Sequence, residues 1–140
     1  MANIYLASSW RNEEQPYYVA ALRKDGHEVY DFRVQNAAFN WKEIDLDYLH
    51  WSADEYVKAL THPLAKIGFE NDFTAMERSD TGVLLLPCGR SAHLELGWMV
   101  GQGKCTIIVT RDGEEPELMA KMADHVVVGM FELLKVLNED

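Results

Sequence analysis

The sequence predicts an α/β fold built on a parallel sheet of five strands, and two observations support this class. Five short apolar runs alternate along the chain with stretches of helical periodicity, which is typical of strands covered on both faces. The runs are residues 4–7, 28–32, 82–86, 106–110 and 125–128. The chain has 140 residues, 48% of them hydrophobic, which suits one compact unit. We therefore expect a single domain over residues 1–140, with flavodoxin-like strand order 2-1-3-4-5 and helices on both faces of the sheet.

Helix start and stop signals separate these runs. The first helix is predicted to follow Asn12, with Glu13 and Glu14 in its first turn, and to end with Lys24 before Gly26. Residues 52–55, Ser-Ala-Asp-Glu, form a capping box that opens a second helix. Further helices are predicted over 63–79, from about 91 to 101, over 117–123 and over 130–137.

Charge and cysteine content narrow the classes of partner. The formal net charge is −10, from 13 Lys and Arg against 23 Asp and Glu, which disfavours nucleic-acid polymers and anionic membranes. A small anionic ligand remains compatible, because a helix N-terminus binds phosphate locally. The two cysteines, Cys88 and Cys105, form no CxxC pair and suit a reducing compartment. No signal-peptide pattern and no run long enough to span a bilayer occur, so a cytoplasmic protein is expected.

The predicted strand order indicates where a ligand would bind. Strands 1 and 3 are neighbours in this order, and ligands of such folds bind beyond the carboxyl ends of the strands at the switch point. The two loops there are residues 8–12 and 87–91. Their small, polar or basic members are candidate ligand-binding residues: Ser8, Ser9, Arg11, Gly89, Arg90 and Ser91.

A long connection over residues 33–51 is the second candidate functional segment. It contains Trp41 and Trp51 among acidic residues, and connections of this length in compact domains are often functional. We expect either a lid, with Trp41 closing over a bound base, or a subunit contact, and the two are compatible.

Glu95 is the strongest candidate for a catalytic residue. It lies four residues after Ser91, so both share one face near the N-terminus of a helix whose dipole favours an ionised carboxylate. The neighbouring apolar residues indicate a largely buried helix: Leu94, Leu96, Trp98, Met99 and Val100. Gly97 and Gly101 in that helix indicate close approach of backbone or ligand. The alternative is a structural ion pair with Arg90.

Asp72 is the second candidate. On its helix it falls in a stripe with Phe69 and Met76, at i, i+3 and i+7, which brings an acid onto an apolar face, whereas Glu70 points to solvent. Such an acid is either paired or catalytic. Together with Glu95 it supplies the two carboxylates that glycoside chemistry requires.

Neither a metal nor a cofactor is expected. His93 has no second histidine at ligand spacing, and Cys88 has no partnered His–Asn pattern. The phosphate-binding patterns GxGxxG and GxxxxGK[ST] are both absent from the sequence.

Three segments resemble the nucleoside 2-deoxyribosyltransferase superfamily, which includes the 2'-deoxynucleoside 5'-monophosphate N-hydrolases. They are residues 4–9 (IYLASS), 69–73 with 79–80 (FENDF and SD), and 89–97 (GRSAHLELG), so the resemblance extends from strand 1 to about Lys104. It implies that Glu95 attacks C1' to form a glycosyl-enzyme and that Asp72 positions the sugar or protonates the leaving base. It further implies that Ser9, Arg11 and Ser91 line the site.

One departure from the family pattern bears on the substrate. Many of the transferases carry acidic residues before the Gly-Ser step, whereas Cys88, Gly89 and Arg90 stand here, and an arginine favours an anionic substrate. The resemblance also implies a homodimer or larger assembly. Two alternatives stay open: a TIR-like NAD-cleaving enzyme, and a non-catalytic nucleotide-binding or sensor protein.

Overall fold

The computed structural model describes residues 1–36 and 39–139 and confirms the α/β fold class and its strand order. The five strands are all parallel and follow the order β2-β1-β3-β4-β5. They are β1 Asn3–Ala7, β2 Glu28–Tyr30, β3 Thr81–Leu85, β4 Cys105–Thr110 and β5 His125–Val128.

Within the described ranges, the helices occur between the strands and after β5. They are α1 Gln15–Lys24, α2 Phe32–Gln35, α3 Ala53–Ala59, α4 Pro63–Arg78, α5 Arg90–Gly101 and α6 Gly129–Leu137. Short 3₁₀ helices cover Trp41–Glu43, Tyr48–His50 and Leu118–Met122. The capping box predicted at residues 52–55 is confirmed at the start of α3.

Three predicted elements are corrected. Phe32 begins α2 instead of ending β2, because the Asp31 side chain accepts a hydrogen bond from the Arg33 amide and caps a new helix. Glu13 and Glu14 precede α1, because the Asn12 side chain bonds the Glu14 amide and extends the loop. The segment predicted as a helix over 117–123 is a 3₁₀ helix.

The two faces of the sheet bury alternate residues of each strand. In β1, Ile4 and Leu6 face a cluster that includes Tyr18, Val19 and Leu22 of α1 and Leu133 of α6. Tyr5 and Ala7 point to the opposite face, where the cluster includes residues 75 and 76 of α4 and residues 92, 96 and 99 of α5. This period of two puts every second side chain of β1 beneath α4 and α5.

The side chains of Met99 and Leu96 in α5 fill the space over Gly82 of β3. This glycine pairs with Tyr5 in the register of β1 and β3, and a Cβ atom built on it would be 2.7 Å from Sδ of Met99. A close approach was predicted instead at Gly97 and Gly101, where an added Cβ meets nothing within 4 Å, so that prediction is wrong for contacts within this chain.

The described part of the predicted lid, residues 33–36 and 39–51, is packed against α4. A Cβ atom built on Gly68 would be 2.8 Å from the Phe39 ring, which in turn packs edge-on against Trp41 at 5.0 Å. Trp41 also contacts Trp51, whose indole N–H donates to Asp45 at 2.8 Å. Residues 37 and 38 of the predicted lid lie outside the described residues. Closure over a ligand stays a prediction.

No helix within residues 1–36 and 39–139 combines the length and the apolar character needed to cross a membrane.

Candidate active site

Glu95 projects from the second turn of α5 onto the face of the sheet. The hydroxyl of Tyr5, in the middle of β1, donates a short hydrogen bond to Oε2 of Glu95. Tyr5 lies beside Gly82 in the register of β1 and β3, and the Met99 side chain of α5 packs over that glycine. The alternative of a structural ion pair with Arg90 is wrong within the described residues, since none of the ion pairs there involves Glu95.

Asp72 projects from α4 onto the same face. Its Oδ1 atom accepts a hydrogen bond of 2.9 Å from the hydroxyl of Tyr30, in β2. The predicted acid on a buried helix face is confirmed, but the stripe differs in one member. The buried residues of α4 are Ala65, Gly68, Ala75 and Met76, whereas Phe69 is 63% exposed and stacks on Phe73.

Two stacked tyrosines join these carboxyl groups. Tyr5 and Tyr30 are register partners of β1 and β2, and their rings stack with centroids 5.4 Å apart and planes inclined by 11°. Neither tyrosine stands out in the sequence as a site residue, because a tyrosine in a strand suggests core packing. The available signal was the alternation in β1, which sets Tyr5 on the face opposite Ile4 and Leu6 and therefore on the face of α5.

Burial controls the ionisation of Glu95. Desolvation raises the pKa of Glu95 to about 7, the Tyr5 hydrogen bond opposes the rise, and the negative charge of Asp72 adds to it. The expectation that the helix dipole keeps Glu95 ionised is therefore wrong near neutral pH, where both forms are populated. Burial also raises the pKa of Asp72, against hydrogen bonds from Tyr30 and Asn36.

The helix that carries Glu95 is less buried than predicted. Leu96 and Met99 are in the core, but Leu94 is 77% exposed and Trp98 and Val100 are half-buried. Leu94 lies on the outer side of α5, where it lines a cavity of about 820 Å³ between α5 and the 3₁₀ helix at Leu118–Met122.

Asn12 ties the two predicted ligand-binding loops together. Its side-chain amide is buried and donates to Oγ of Ser8 at 3.1 Å and to the carbonyl of Pro87 at 3.2 Å. Ser8 donates in turn to the carbonyl of Leu85 at 2.9 Å. The hydroxyl of Ser8 thus holds the end of β1 against the end of β3, and Asn12 is a third residue, after Tyr5 and Tyr30, that the sequence pattern did not single out.

The remaining loop residues lie on different sides of α5. Ser91 shares the face of Glu95, one turn before it. Arg90, five residues before Glu95, points about 140° away around the helix and lines the outer cavity with Gly89. The structure therefore does not bring Arg90 and Gly89 to the carboxyl pair. Arg11 is exposed on the loop after β1, where its backbone amide donates a hydrogen bond of 3.2 Å to the hydroxyl of Ser9.

The aromatic side chain on the loop after β1 is Trp10. It is 52% exposed, packs edge-on against Phe32, and is covered by the guanidinium of Arg33 at 5.5 Å from the ring centre. Arg33 also donates to the backbone carbonyls of Trp10 and Asn12. Trp41, the predicted base-stacking residue, packs instead among Phe39, Trp51 and Tyr56, and its role at a site stays a prediction.

Cys88 and His93 are neighbours, with the sulfur atom of Cys88 3.7 Å from Nδ1 of His93. The Nδ1 atom of His93 lies 2.9 Å from the carbonyl of Gly89, so it carries the proton and donates there. Burial, with the charges of Glu114 and Glu95, raises the pKa of the Cys88 thiol to about 12. Within residues 1–36 and 39–139, no group of three or more His, Cys, Asp or Glu side chains could hold a metal ion.

Solved structures with the same fold include enzymes that act on nucleosides and nucleotides. A 2-deoxyribosyltransferase of the psychrotolerant bacterium Bacillus psychrosaccharolyticus superposes with a TM-score of 0.65 at 24% identity, over 99% of this chain and 93% of that one. The CMP N-glycosidase BcmB of Clostridium botulinum gives a TM-score of 0.57 at 15% identity, over 98% and 99% of the two chains. A conserved protein of Enterococcus faecalis V583 gives 0.62 at 17% identity, over 96% of each chain.

No protein-family model matches the chain, and no curated protein matches it significantly. The structural likeness confirms the fold that the resemblance to the nucleoside 2-deoxyribosyltransferase superfamily implies. The chain has the fold of a 2-deoxyribosyltransferase and of a CMP N-glycosidase over nearly its whole length.

Proposed function

We propose that this protein breaks the N-glycosidic bond of a nucleoside or nucleoside 5'-monophosphate, by hydrolysis or by base transfer, with Glu95 as nucleophile. The observation that carries the proposal is the pair of half-buried carboxyl groups, Glu95 and Asp72, each held by a tyrosine hydroxyl over one face of the sheet. Two carboxyl groups with different environments are what glycosidic cleavage requires. The shared fold with two enzymes named for such chemistry supports it.

The reaction begins with the ionised form of Glu95. One oxygen of its carboxylate bonds to C1' as the bond from C1' to the base nitrogen breaks, and the base leaves with the bonding electrons and takes a proton from Asp72 or from water. Water or a second base then attacks C1', gives up a proton to Asp72 or to water, and releases Glu95 as a carboxylate. Tyr5 donates to Oε2, so it keeps one oxygen fixed and stabilises the ionised form.

Asp72 binds a sugar hydroxyl or protonates the leaving base. Its charge is close enough to raise the pKa of Glu95, which supports a site shared by the two carboxyl groups. Tyr30 occupies Oδ1 of Asp72, so Oδ2 is the oxygen that meets a sugar hydroxyl or delivers a proton to the leaving base.

A 5'-phosphate is proposed to bind where the loop after β1 meets the start of α5. Gly89 caps α5 without a side-chain hydrogen bond, so the first-turn amides stay open to an anion beside the Ser91 hydroxyl. Arg11 is exposed on the facing loop and makes no ion pair with any described residue. The chain has a net charge of −10, so this arginine beside open backbone amides forms a locally positive region that suits a phosphate.

The catalytic proposal is tested with a panel of nucleosides, nucleoside monophosphates and NAD, with free base as the readout. Release of a purine or pyrimidine base by the wild type, and its loss in Glu95→Gln, is the expected result. Release of nicotinamide alone would establish an NAD-cleaving enzyme. Tight binding of nucleotides with no base released from any compound would establish a binding protein and contradict the proposal.

The phosphate pocket is tested by comparing each monophosphate with its nucleoside. We expect kcat/KM to favour the monophosphate about tenfold or more, because one charge-assisted contact suffices for that ratio. Arg11→Ala should erase the preference, whereas Arg90→Ala, on the outer side of α5, is the matched control and should keep it. Equal rates on both substrates, with efficient transfer to an added base, would instead establish a deoxyribosyltransferase without this pocket.

The proposal includes assembly into a homodimer or larger oligomer. The outer cavity on α5 is lined by exposed apolar residues, including Leu94, Met119 and Met122, which a second copy would cover. Light scattering measures the mass directly, and a monomer at micromolar concentration would contradict this part.

A further inference from the structure

A hydroxyl on the edge strand of the sheet holds Asp72 in place. Tyr30 lies in β2, which pairs with β1 on one side and is the last strand of the sheet on the other. Its hydroxyl donates to Oδ1 of Asp72 at 2.9 Å, and Asp72 is its one hydrogen-bond partner within the described residues.

The ring of Tyr30 is positioned by the sheet itself. In a parallel pair, register partners point to the same face of the sheet with their strands about 4.8 Å apart. Tyr30 therefore stacks on Tyr5 across the two strands, at 5.4 Å between ring centres. The stack is a rigid platform whose two hydroxyls reach different helices: Tyr5 reaches Glu95 on α5, and Tyr30 reaches Asp72 on α4.

The neighbours of Asp72 leave Tyr30 as its main anchor. Asn36 also bonds Asp72 and lowers its pKa, but the Asn36 amide donates to the carbonyl of Gly68 and its oxygen accepts from Asn71. The ionisable groups that face Asp72 from other elements are Tyr30 on β2, Tyr5 on β1 and Glu95 on α5. Both tyrosines have a raised pKa, from burial first, so both stay protonated and act as donors.

We propose that Tyr30 is a positioning residue for the glycosidic reaction, which fixes Asp72 through Oδ1 so that Oδ2 faces the substrate. The inference rests on the proposed function. Without the Tyr30 hydroxyl, Asp72 keeps only its contact with Asn36, so its carboxyl group is held less firmly and either oxygen can face the site. The ring packing survives in Tyr30→Phe, so that variant removes the hydroxyl and leaves the platform.

The first test is a double-mutant cycle with turnover as the readout. Tyr30→Phe should lower kcat about tenfold with little change in KM, the size expected for a lost hydrogen bond to a charged group. In the Asp72→Asn background the same substitution should change kcat less than about twofold, because the oriented carboxylate is already gone. Tyr17→Phe on the exposed face of α1 is the control and should leave both backgrounds unchanged. An equal loss in both backgrounds, or none in either, would overturn the inference.

The second test needs no turnover, so it separates this inference from the proposed function. Carboxyl-carbon NMR of the labelled protein follows the titration of Asp72 directly. Tyr30→Phe should raise the pKa of Asp72, because the bond that favours its ionised form is lost, and Tyr17→Phe should not. A raised pKa of Asp72 in a protein that cleaves no nucleoside or nucleotide would contradict the proposed function but support the hydrogen bond from Tyr30 to Asp72. An unchanged pKa would overturn the role of Tyr30 whatever the activity.

Discussion

Removing the charge of Glu95 should stabilise the protein at high pH and leave it unchanged at low pH. The pKa of Glu95 rises from 4.5 to about 7 on folding, mainly through burial. A carboxyl group with a raised pKa binds its proton more tightly in the folded state. Its contribution to stability is therefore complete below about pH 4.5 and is lost as the pH rises through 7. Glutamine carries no charge at any of these pH values and avoids this loss.

The size of the effect follows from the rise in pKa. An increase of roughly 2.5 pH units, at about 1.4 kcal/mol per unit, makes the ionised side chain cost about 3 kcal/mol above pH 7. For a chain of this size, a change of 1 kcal/mol moves the melting temperature by roughly 3 °C. Glu95→Gln should thus melt about 10 °C above the wild type at about pH 8.5 and within about 2 °C of it at about pH 4.5.

Thermal unfolding followed by circular dichroism across this pH range measures the difference. Glu70→Gln is the matched control, because Glu70 is an exposed glutamate on α4 whose contact with Lys66 is a surface pair at 4.0 Å. The difference in melting temperature between Glu70→Gln and the wild type should be the same at every pH. A difference that is also independent of pH for Glu95→Gln would refute the burial of the carboxyl group and the pH dependence derived from it.

Three further predictions concern the same site. Base release by the wild type should rise with pH through about 7, as Glu95 ionises, and Asp72→Asn should move this rise to lower pH by removing a nearby negative charge, which a pH–rate profile measures. Trp10→Ala should weaken nucleotide binding by the roughly 1–3 kcal/mol of a base stack, and titration calorimetry beside Trp41→Ala decides which tryptophan meets the base. An unchanged affinity in both would exclude aromatic stacking from these positions. Gly82→Ala should cost about 1–3 kcal/mol in chemical denaturation, because its new methyl group overlaps α5, and an unchanged midpoint would contradict the close packing there.

Much of the fold was predictable because its determinants are local. The buried strands are continuous apolar runs, and the capping box at residues 52–55 and Pro63 set the starts of α3 and α4 within a residue. The apolar character of Phe32 predicts a strand. The Asp31 side chain, however, accepts a hydrogen bond from the Arg33 amide and so caps a helix at this position. Such a cap is a single hydrogen bond and leaves no periodic pattern.

Only the two acidic residues of the candidate site could be predicted from the sequence. A carboxylate between apolar neighbours is conspicuous, so Glu95 and Asp72 could be selected from spacing. Tyr30 could not, because its role depends on the register between β1 and β2, which no local pattern encodes, whereas the alternation in β1 was a signal for Tyr5. The exposure of Leu94 and the outward direction of Arg90 depend on the rotation of α5 against the sheet, which is a matter of tertiary packing.

The amide of Asn12 joins the two predicted ligand-binding loops. It donates to Ser8 on the loop after β1 and to Pro87 on the loop after β3, so any motion that parts the two loops has to break these hydrogen bonds. Ser9 and Arg11 lie outside this junction, so variants there can be screened for altered substrate choice without loosening the frame. Substitutions of Asn12 or Ser8 would remove the hydrogen bonds that join the two loops, so a library that includes these positions would lose stability along with any change in selectivity.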